Sequence, residues 1–275
     1  MGNKKKQKPP LPVLPEGVNV IDTHCHLDML HSGTDLAETI SRAASLGVSP
    51  IITIGIDLES SKKAVEIAAL YDDVYATVGI HPHNVSTLED SSYAELEQLC
   101  KNSKVVAYGE IGLDFVKKYA EPHEQLDHYG RQVRFAKKTG LPLVIHDREA
   151  HSEILGILKQ EAPFPEAGIM HCFSGNWQLA TKVLDLGFLI SIPGVVTFKK
   201  ADALQEVVRK APLNRLVLET DAPFLAPDPY RGRPNIPEYL LYTAQKVADL
   251  RGVSLEEVAR ATSENARNLF HLKSR

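Results

Sequence analysis

Hydrophobic and polar positions along the chain fall into short blocks of two kinds, which recur in a fixed order. Apolar blocks rich in Val and Ile predict buried strands at 18–21, 51–56, 74–80, 105–108, 143–145, 168–170, 188–191 and 216–219. Blocks with apolar residues three and four positions apart predict helices at 35–46, 60–71, 92–100, 121–138, 149–160, 178–186, 201–209, 238–250, 255–261 and 264–270. Strands and helices therefore alternate from residue 18 onwards.

This alternation predicts the fold class. Strands separated by helices form parallel sheets, and eight such units in one compact domain favour a closed (β/α)8 TIM barrel over an open doubly wound sheet. A length of 275 residues suits that barrel. The G-x-G-x-x-G and Walker A sequences that bind nucleotides on open sheets do not occur. We expect one α/β TIM-barrel domain over 17–275, preceded by a disordered basic and Pro-rich tail over 1–16.

Composition narrows the class of protein. The net charge of −4 gives no overall positive field, so a nucleic-acid substrate needs a local positive site such as bound metal. The three cysteines, Cys25, Cys100 and Cys172, are scattered and odd in number, which is typical of a reducing compartment. The sequence shows no secretory signal and no stretch that could span a bilayer. We expect a cytoplasmic monomer with no membrane contact and no obligate protein partner.

The distinctive polar residues follow predicted strands, at the end where barrel enzymes have their active sites. His24 and His26 come after the first strand, and their spacing of two places both imidazoles on one face. Cys25, between them, points away and is not expected to be a ligand. Because all strands of a barrel end at one mouth, we expect the following residues to converge there: His24, His26, His81, Glu110, His146, His171 and Asp221.

Imidazole and carboxylate groups in this number suit a pair of divalent ions. We expect His24, His26 and Asp221 to hold one ion. We expect His146 and His171 to hold a second. Taken singly, His146 and His171 could equally be hydrogen-bonded core histidines, and it is their membership of the set that favours ligation.

Glu110 is the expected bridge, because one carboxylate can give an oxygen to each of two ions. Two ions held about 3.5–4 Å apart can share a water or hydroxide and clamp a phosphoryl oxygen. We expect Asp221 to serve also as a general base toward that water, so Glu110 and Asp221 are the predicted catalytic residues. The ligand types do not distinguish Mg, Mn, Zn, Fe and Co.

Two further side chains at the mouth are predicted to contact substrate. His81 precedes Pro82 in a strand-end turn, where it can donate to a phosphate or hydrogen-bond within the turn. We favour substrate contact for His81 and a structural role for His83. Arg148 follows the fifth strand and can bind a phosphate through two hydrogen bonds. A salt bridge from Arg148 to a neighbouring helix is an equal alternative.

Six short motifs are specific when taken together: Asp22-Thr23-His24-Cys25-His26, Gly79-Ile80-His81-Pro82, Gly109-Glu110-Ile111-Gly112-Leu113-Asp114, Ile145-His146-Asp147-Arg148, His171-Cys172-Phe173-Ser174-Gly175 and Glu219-Thr220-Asp221-Ala222-Pro223-Phe224-Leu225. With them the chain resembles, from residue 20 to about 270, the TatD family of metal-dependent deoxyribonucleases and hydrolases within the amidohydrolase-like barrels. The resemblance implies a TIM barrel with up to two divalent ions per chain, held by the six ligands predicted above. It also implies phosphodiester hydrolysis, typically exonuclease-like on DNA.

Departures from the family pattern spare the predicted ligands. Phe115 stands where tyrosine is expected, Asp147 where a small residue is common, and 231–235 varies a Gly-Lys-containing loop. These changes bear at most on substrate preference. Because a barrel alone does not fix chemistry, a metal-dependent ester or amide hydrolase such as a D-aminoacyl-tRNA deacylase is the alternative enzyme. The non-enzymatic alternative is a protein that binds nucleic acid through its lysine tail and does not cleave it. The full ligand set argues against this alternative.

Overall fold

A single parallel sheet of eight strands forms the centre of the computed structural model, which describes residues 8–30, 35–117 and 119–273. Each strand pairs in parallel with the next strand along the chain. The strands are β1 (Val20–Cys25), β2 (Val48–Ile54), β3 (Val74–Val78), β4 (Val105–Asp114), β5 (Leu143–Arg148), β6 (Gly168–Met170), β7 (Leu189–Ile192) and β8 (Leu216–Leu218).

Helices follow the strands and return the chain to the start of the next one. Local signals fix their ends: Asp57 accepts the backbone N–H of Ser60 at 2.7 Å at the start of α2, and Gly140 ends α4 with a φ of 73°. The helices are α1 (Leu36–Ser45), α2 (Leu58–Leu70), α3 (Asp90–Cys100), α4 (Pro122–Thr139), α5 (His151–Glu161), α6 (Trp177–Asp185), α7 (Asp202–Lys210), α8 (Leu240–Arg251) and α9 (Leu255–Phe270).

Closure of the sheet takes place between the end of β1 and the segment that follows β8. The backbone N–H of Asp221 donates to the carbonyl of His24 at 2.8 Å, and that of His26 donates to the carbonyl of Ala222 at 2.8 Å. These bonds continue the parallel pairing past the last residue of β8. The predicted (β/α)8 barrel is confirmed, and its closing seam carries three of the predicted ligands.

The strands are buried on both faces, as parallel sheets require. Neighbouring residues of one strand enter different hydrophobic clusters: Ile51 joins the larger cluster, and Ile52 joins the smaller one. The larger cluster also contains Ile67 from α2 and Val133 from α4, so it lies between the sheet and the helices. This packing makes the strands a rigid base for the residues at their ends.

Two predicted elements differ most from the structure. β4 extends to Asp114 rather than ending at residue 108, because Ile111 and Gly112 pair with Ile145 and His146 of β5, so Glu110 lies within a strand. α9 is one continuous helix rather than two. Its predicted break contains Ser263, whose hydroxyl donates to the carbonyl of Asn19 at 3.0 Å instead of ending the helix.

Part of the segment predicted to be a disordered tail contacts the barrel. The hydroxyl of Tyr242 donates to the carbonyl of Pro9 at 3.0 Å, and the ammonium of Lys8 lies 3.7 Å from the ring centroid of Tyr230. Leu14 packs against the main hydrophobic cluster. Residues 1–7 of the predicted tail lie outside the described residues, and the domain boundary at residue 17 stays a prediction. Across the described ranges, no helix is long and apolar enough to cross a membrane.

Candidate metal centre

The predicted site residues meet at one mouth of the barrel. They are supplied by β1, β4 and β5 and by the turns that directly follow β1, β3, β6 and β8. All are buried except His146, which is partly exposed, and Arg148, which is exposed. The residues that the structure brings into contact around one carboxylate are His24, His26, His81, Glu110, His146, His171 and Asp221.

Glu110 occupies the middle of this group and presents each of its two oxygens to a different set of imidazoles. Its Oε2 lies 3.4 Å from Nε2 of His24 and 4.0 Å from Nε2 of His26. Its Oε1 lies 2.7 Å from Nδ1 of His146. The same Oε1 is 3.6 Å from Nε2 of His171. The two oxygens of the carboxylate therefore face different imidazoles, while the rings of His24 and His171 stack directly with 3.4 Å between their centroids.

Asp221 completes the side of the group that contains His24 and His26. Its Oδ1 lies 3.4 Å from Nε2 of His26 and 3.8 Å from Nε2 of His24. The backbone of Asp221 has a φ of 57°, a left-handed conformation that costs a non-glycine residue about 1–2 kcal/mol. Strained residues of this kind concentrate at functional sites, because the surrounding structure must hold them there.

Glu219 is a site residue that the sequence reasoning missed. Its Oε2 lies 2.9 Å from Nδ1 of His171 and accepts the hydroxyl of Ser191 at 2.5 Å, while its Oε1 accepts the backbone N–H of Cys172 at 2.8 Å. This contact fixes the ring of His171 with Nε2 toward Glu110, the arrangement by which carboxylates orient histidine ligands. A carboxylate directly after an apolar strand was the available signal.

Asp22 is a second missed residue, and it holds the closing seam. Its Oδ2 accepts the hydroxyl of Thr220 at 2.6 Å, and its Oδ1 accepts the backbone N–H of Thr220 at 2.9 Å. The backbone N–H of His24 donates to the same Oδ1 at 3.3 Å. Asp22 thereby joins the backbone of His24 to that of Thr220, which directly precedes Asp221. The positions of His24 and Asp221 are coupled as a result.

His81 and Arg148, the predicted substrate contacts, lie on the other side of Glu110. Nδ1 of His81 accepts the backbone N–H of His83 at 3.1 Å, so in the neutral ring the proton is on Nε2, which lies 3.5 Å from Oε1 of Glu110. Arg148 is exposed, with Nη1 3.7 Å from Oδ2 of Asp114 rather than paired with a helix. Asp114, also missed from the sequence, lies 2.7 Å from Nε2 of His83.

Glu110 is ionised and His24 is neutral. Burial opposes ionisation of Glu110, but the positive charge of His171 and the hydrogen bond with His146 outweigh burial and hold the pKa of Glu110 well below the usual value. Burial and the neighbouring His171 lower the pKa of His24 to about 3. A neutral imidazole keeps the lone pair that a metal ligand needs.

His146 and His171, the pair predicted for the second ion, hold protons more tightly than His24 does. Burial opposes their charge, yet Asp114 and Glu110 raise the pKa of His146 to about 9. Glu219 and Glu110 likewise raise the pKa of His171 to about 10 against burial. A cation bound at these nitrogens takes the place of such protons, because metal binding and protonation compete for the same lone pair.

The residues fit divalent ions. Within the described residues, four buried ring nitrogens of the centre lack a hydrogen-bond partner: His24 Nδ1, His24 Nε2, His26 Nδ1 and His146 Nε2. Each unpaired buried polar atom costs about 1–3 kcal/mol. Ligand atoms arranged as a tetrahedron at about 2.1 Å from one ion are about 3.4 Å apart, and the closest contacts of Nε2 of His24 and His26 with the two carboxylates are 3.4 Å each.

Comparison with known proteins identifies the family. A model of TatD-related DNases matches residues 21–271. The chain belongs to the TatD-related DNase family. Among its TatD relatives, the uncharacterised metal-dependent hydrolase YabD of Bacillus subtilis is 39% identical over 253 residues, which cover 92% of this chain and 99% of YabD. The 3′–5′ ssDNA/RNA exonuclease TatD of Erwinia tasmaniensis is 35% identical over 259 residues, 92% of this chain and 100% of that protein.

A solved TatD structure has the same fold. The crystal structure of YjjV, a TatD homologue from Escherichia coli, matches with a TM-score of 0.88 and 34% sequence identity over 92% of this chain and 98% of YjjV. Membership of the TatD family, the TIM barrel and the class of metal-dependent hydrolase, all predicted from the sequence, are confirmed. The roles of individual site residues stay predictions.

Proposed function

We propose that this TatD-family hydrolase is a divalent-metal-dependent exonuclease that cleaves the phosphodiester bonds of single-stranded DNA. The observation that carries the proposal is the position of the Glu110 carboxylate. Its Oε2 faces His24, and its Oε1 faces His146 and His171. Such a carboxylate is suited to bridging two ions, and two-ion centres are common in enzymes that cleave phosphodiesters. The relative named as a single-strand DNA and RNA exonuclease supports this choice of substrate.

In this proposal each residue has a defined task. His24, His26 and Asp221 hold one ion, and His146 and His171 hold the second, with Glu110 shared between them. Bound there, divalent ions polarise a phosphoryl oxygen and lower the pKa of a coordinated water. The ion identity and the occupancy of each position are left to measurement.

The remaining chemistry belongs to proton transfer and substrate orientation. Asp221 lies beside both imidazoles of the first set, with Oδ1 3.4 Å from His26, and it accepts the proton of the attacking water as general base. His81 directs the protonated Nε2 into the site and donates to a phosphate oxygen. Arg148, exposed at the rim, has donors available for a second phosphate oxygen.

The cellular setting follows the sequence expectation. Cys25, Cys100 and Cys172 are all free thiols, which supports the predicted reducing compartment. We propose a cytoplasmic monomer that needs no protein partner for hydrolysis. Gel filtration coupled to light scattering tests the monomer, and an active complex of defined stoichiometry would contradict it.

The test uses full-length protein stripped of metal with a chelator and reloaded with Mg²⁺, Mn²⁺ or Zn²⁺. Single-stranded and duplex DNA, labelled at either the 3′ or the 5′ end, report cleavage and polarity. We expect metal-dependent release of mononucleotides from single strands. Glu110→Gln and Asp221→Asn should abolish this release, whereas Glu206→Gln, an exposed residue of α7, should cleave like the wild type.

The nuclease proposal is contradicted if the wild-type protein cleaves DNA with none of the three metals. In that case release of the amino acid from D-aminoacyl-tRNA, measured on the same metal-loaded samples, tests the ester-hydrolase alternative. Metal content measured on every sample by mass spectrometry separates an empty centre from a centre with another substrate.

A further inference from the structure

Two aromatic side chains are exposed to solvent at the mouth of the barrel. Tyr119 and Phe224 keep 65% and 49% of their surface exposed, in the loops that follow β4 and β8. Val116 and Leu225, from the same two loops, are exposed as well. Neighbouring exposed apolar side chains at the edge of a polar site are candidates for a binding surface.

Each of the two aromatic rings contacts a histidine of the mouth. Phe224 meets His26 edge-on with 5.7 Å between ring centroids, and Tyr119 lies 4.7 Å from His83. Between these ends the imidazoles form a continuous row with neighbouring centroids 3.4–6.2 Å apart, in the order His26, His24, His171, His146, His81 and His83. The exposed aromatic rings therefore lie at opposite ends of the row that surrounds Glu110.

The loops that carry these rings are anchored on carboxylate residues of the mouth. The backbone N–H of Phe224 donates to the carbonyl of Asp221 at 2.7 Å, which fixes the ring three residues after the predicted general base. Oδ1 of Asp114 accepts the backbone N–H groups of Val116 and Lys117, each at 2.9 Å, at the start of the other loop. The backbone at the start of each loop is thus held in place relative to the centre.

Flat exposed rings beside a phosphate-cleaving centre are suited to nucleobases, which stack on Phe and Tyr almost regardless of their sequence. A base within a duplex is already stacked and paired, so unpaired bases alone can cover these rings. We infer that Phe224 and Tyr119 are positioning residues that stack unpaired bases on the two sides of the scissile phosphate. This inference rests on the proposed nuclease function, and it makes discrimination against duplex DNA a property of the rings.

The experiment compares an oligodeoxynucleotide with a copy that lacks the bases of its terminal nucleotides. Phe224→Leu and Tyr119→Leu keep an apolar side chain and remove the flat ring, and Phe224→Trp restores one. Leu70→Ala, an exposed residue at the end of α2, is the control. kcat and KM are measured separately for each metal-loaded protein and each substrate.

Stacking on one ring is expected to contribute about 5- to 150-fold. Phe224→Leu and Tyr119→Leu should each lower kcat/KM on the intact strand within that range, mainly through KM. They should leave cleavage of the base-free copy within about twofold of wild type, and Phe224→Trp should recover most of the loss. Equal losses on both substrates would indicate a structural role and overturn the inference. Wild-type protein that cleaves neither substrate would overturn the nuclease function and the stacking role together.

Discussion

The two sides of Glu110 are built differently. On the Oε2 side, neither ring nitrogen of His24 has a hydrogen-bond partner among the described residues, and Nδ1 of His26 is also unpaired. On the Oε1 side, His171 is hydrogen-bonded to Glu219 through Nδ1, His146 to Glu110 through Nδ1, and His81 accepts a backbone N–H at Nδ1. Among the described imidazoles of that side, Nε2 of His146 alone lacks a partner. One side thus depends on a ligand for its polar partners, and the other is oriented by the protein.

This difference separates two ways of preparing a metal ligand. An imidazole that the protein already hydrogen-bonds keeps its orientation when no ion is present, and it loses less entropy on binding. An imidazole without such a partner obtains one only from an ion or water, so ion binding there removes the cost of unpaired buried nitrogens. We therefore expect ions at the His24 side to stabilise the fold more than ions at the His146 side.

Removing the shared carboxylate should have the largest effect. Glu110→Gln keeps the shape but takes away the charge that both sides share, so we expect kcat/KM on single-stranded DNA to fall by about 10³-fold or more. Metal bound per chain, measured by mass spectrometry, should fall on both sides. The Glu206→Gln control should be unaffected. If Glu110→Gln also keeps normal metal content and activity, Glu110 does not bridge two ions.

A backbone change beside His146 should destabilise the fold. A Cβ at Gly112 would lie 1.9 Å from the carbonyl oxygen of His146, and the φ of 149° there is unfavourable for other residues. We expect Gly112→Ala to lower the free energy of unfolding by about 3 kcal/mol or more in urea denaturation. Gly156→Ala, within α5 and with open space around its Cβ, should instead stabilise by about 0.5–1 kcal/mol. Equal behaviour of the two variants would contradict the close contact.

Metal addition tests the asymmetry directly. An ion at 100 times its Kd stabilises the folded state by about 2.7 kcal/mol, which corresponds to a rise in Tm of about 5–10 °C for a chain of this size. We expect Mn²⁺ or Zn²⁺ to produce this rise in stripped wild-type protein by differential scanning calorimetry. His24→Ala should lose most of it, and His146→Ala, on the other side of Glu110, should retain most. Similar losses in both variants would mean that the two sides are equivalent.

The smallest effect should come from the residue that orients His171. Glu219→Gln removes the charge that raises the basicity of His171, and the loss of such a partner typically weakens metal binding by about 10–100-fold. Equilibrium dialysis at limiting metal should show weaker binding of one ion and unchanged binding of the other. Glu257→Gln, at the exposed start of α9, is the control. Weakening of both ions would show that the sides are coupled through Glu219.

The sequence predicted the fold, and it predicted that the proposed ligands would lie together, because a parallel barrel has one mouth. Any polar residue that ends a strand must lie near the others that do so, and this holds for His24, His146 and Asp221 without knowledge of distances. The exact ends of the strands were harder to predict from the sequence. Glu110 lies within β4 because pairing with β5 continues past it, and such pairing depends on a strand distant in the sequence.

The supporting residues could not be assigned in the same way. Asp22, Asp114 and Glu219 were visible as carboxylates in motifs, but their partners depend on side-chain directions that only the closed barrel defines. The exposure of Phe224 and Tyr119 could not be predicted from the sequence either, since an aromatic residue in a loop is ordinarily expected to be buried. Their exposure depends on how two distant loops border the mouth.

The closing seam also decides when the protein can first work. Asp22 and Thr220, whose hydrogen bonds join the seam, are 198 positions apart in the sequence. A nascent chain in which His24 has already left the ribosome lacks Asp221, and with it the closing partner of β1, until all the intervening residues have been synthesised. Contacts of such long range form late and slow folding. The closing seam and the proposed metal centre can therefore be completed only after Thr220 and Asp221 have left the ribosome, and shorter nascent chains lack the assembled centre.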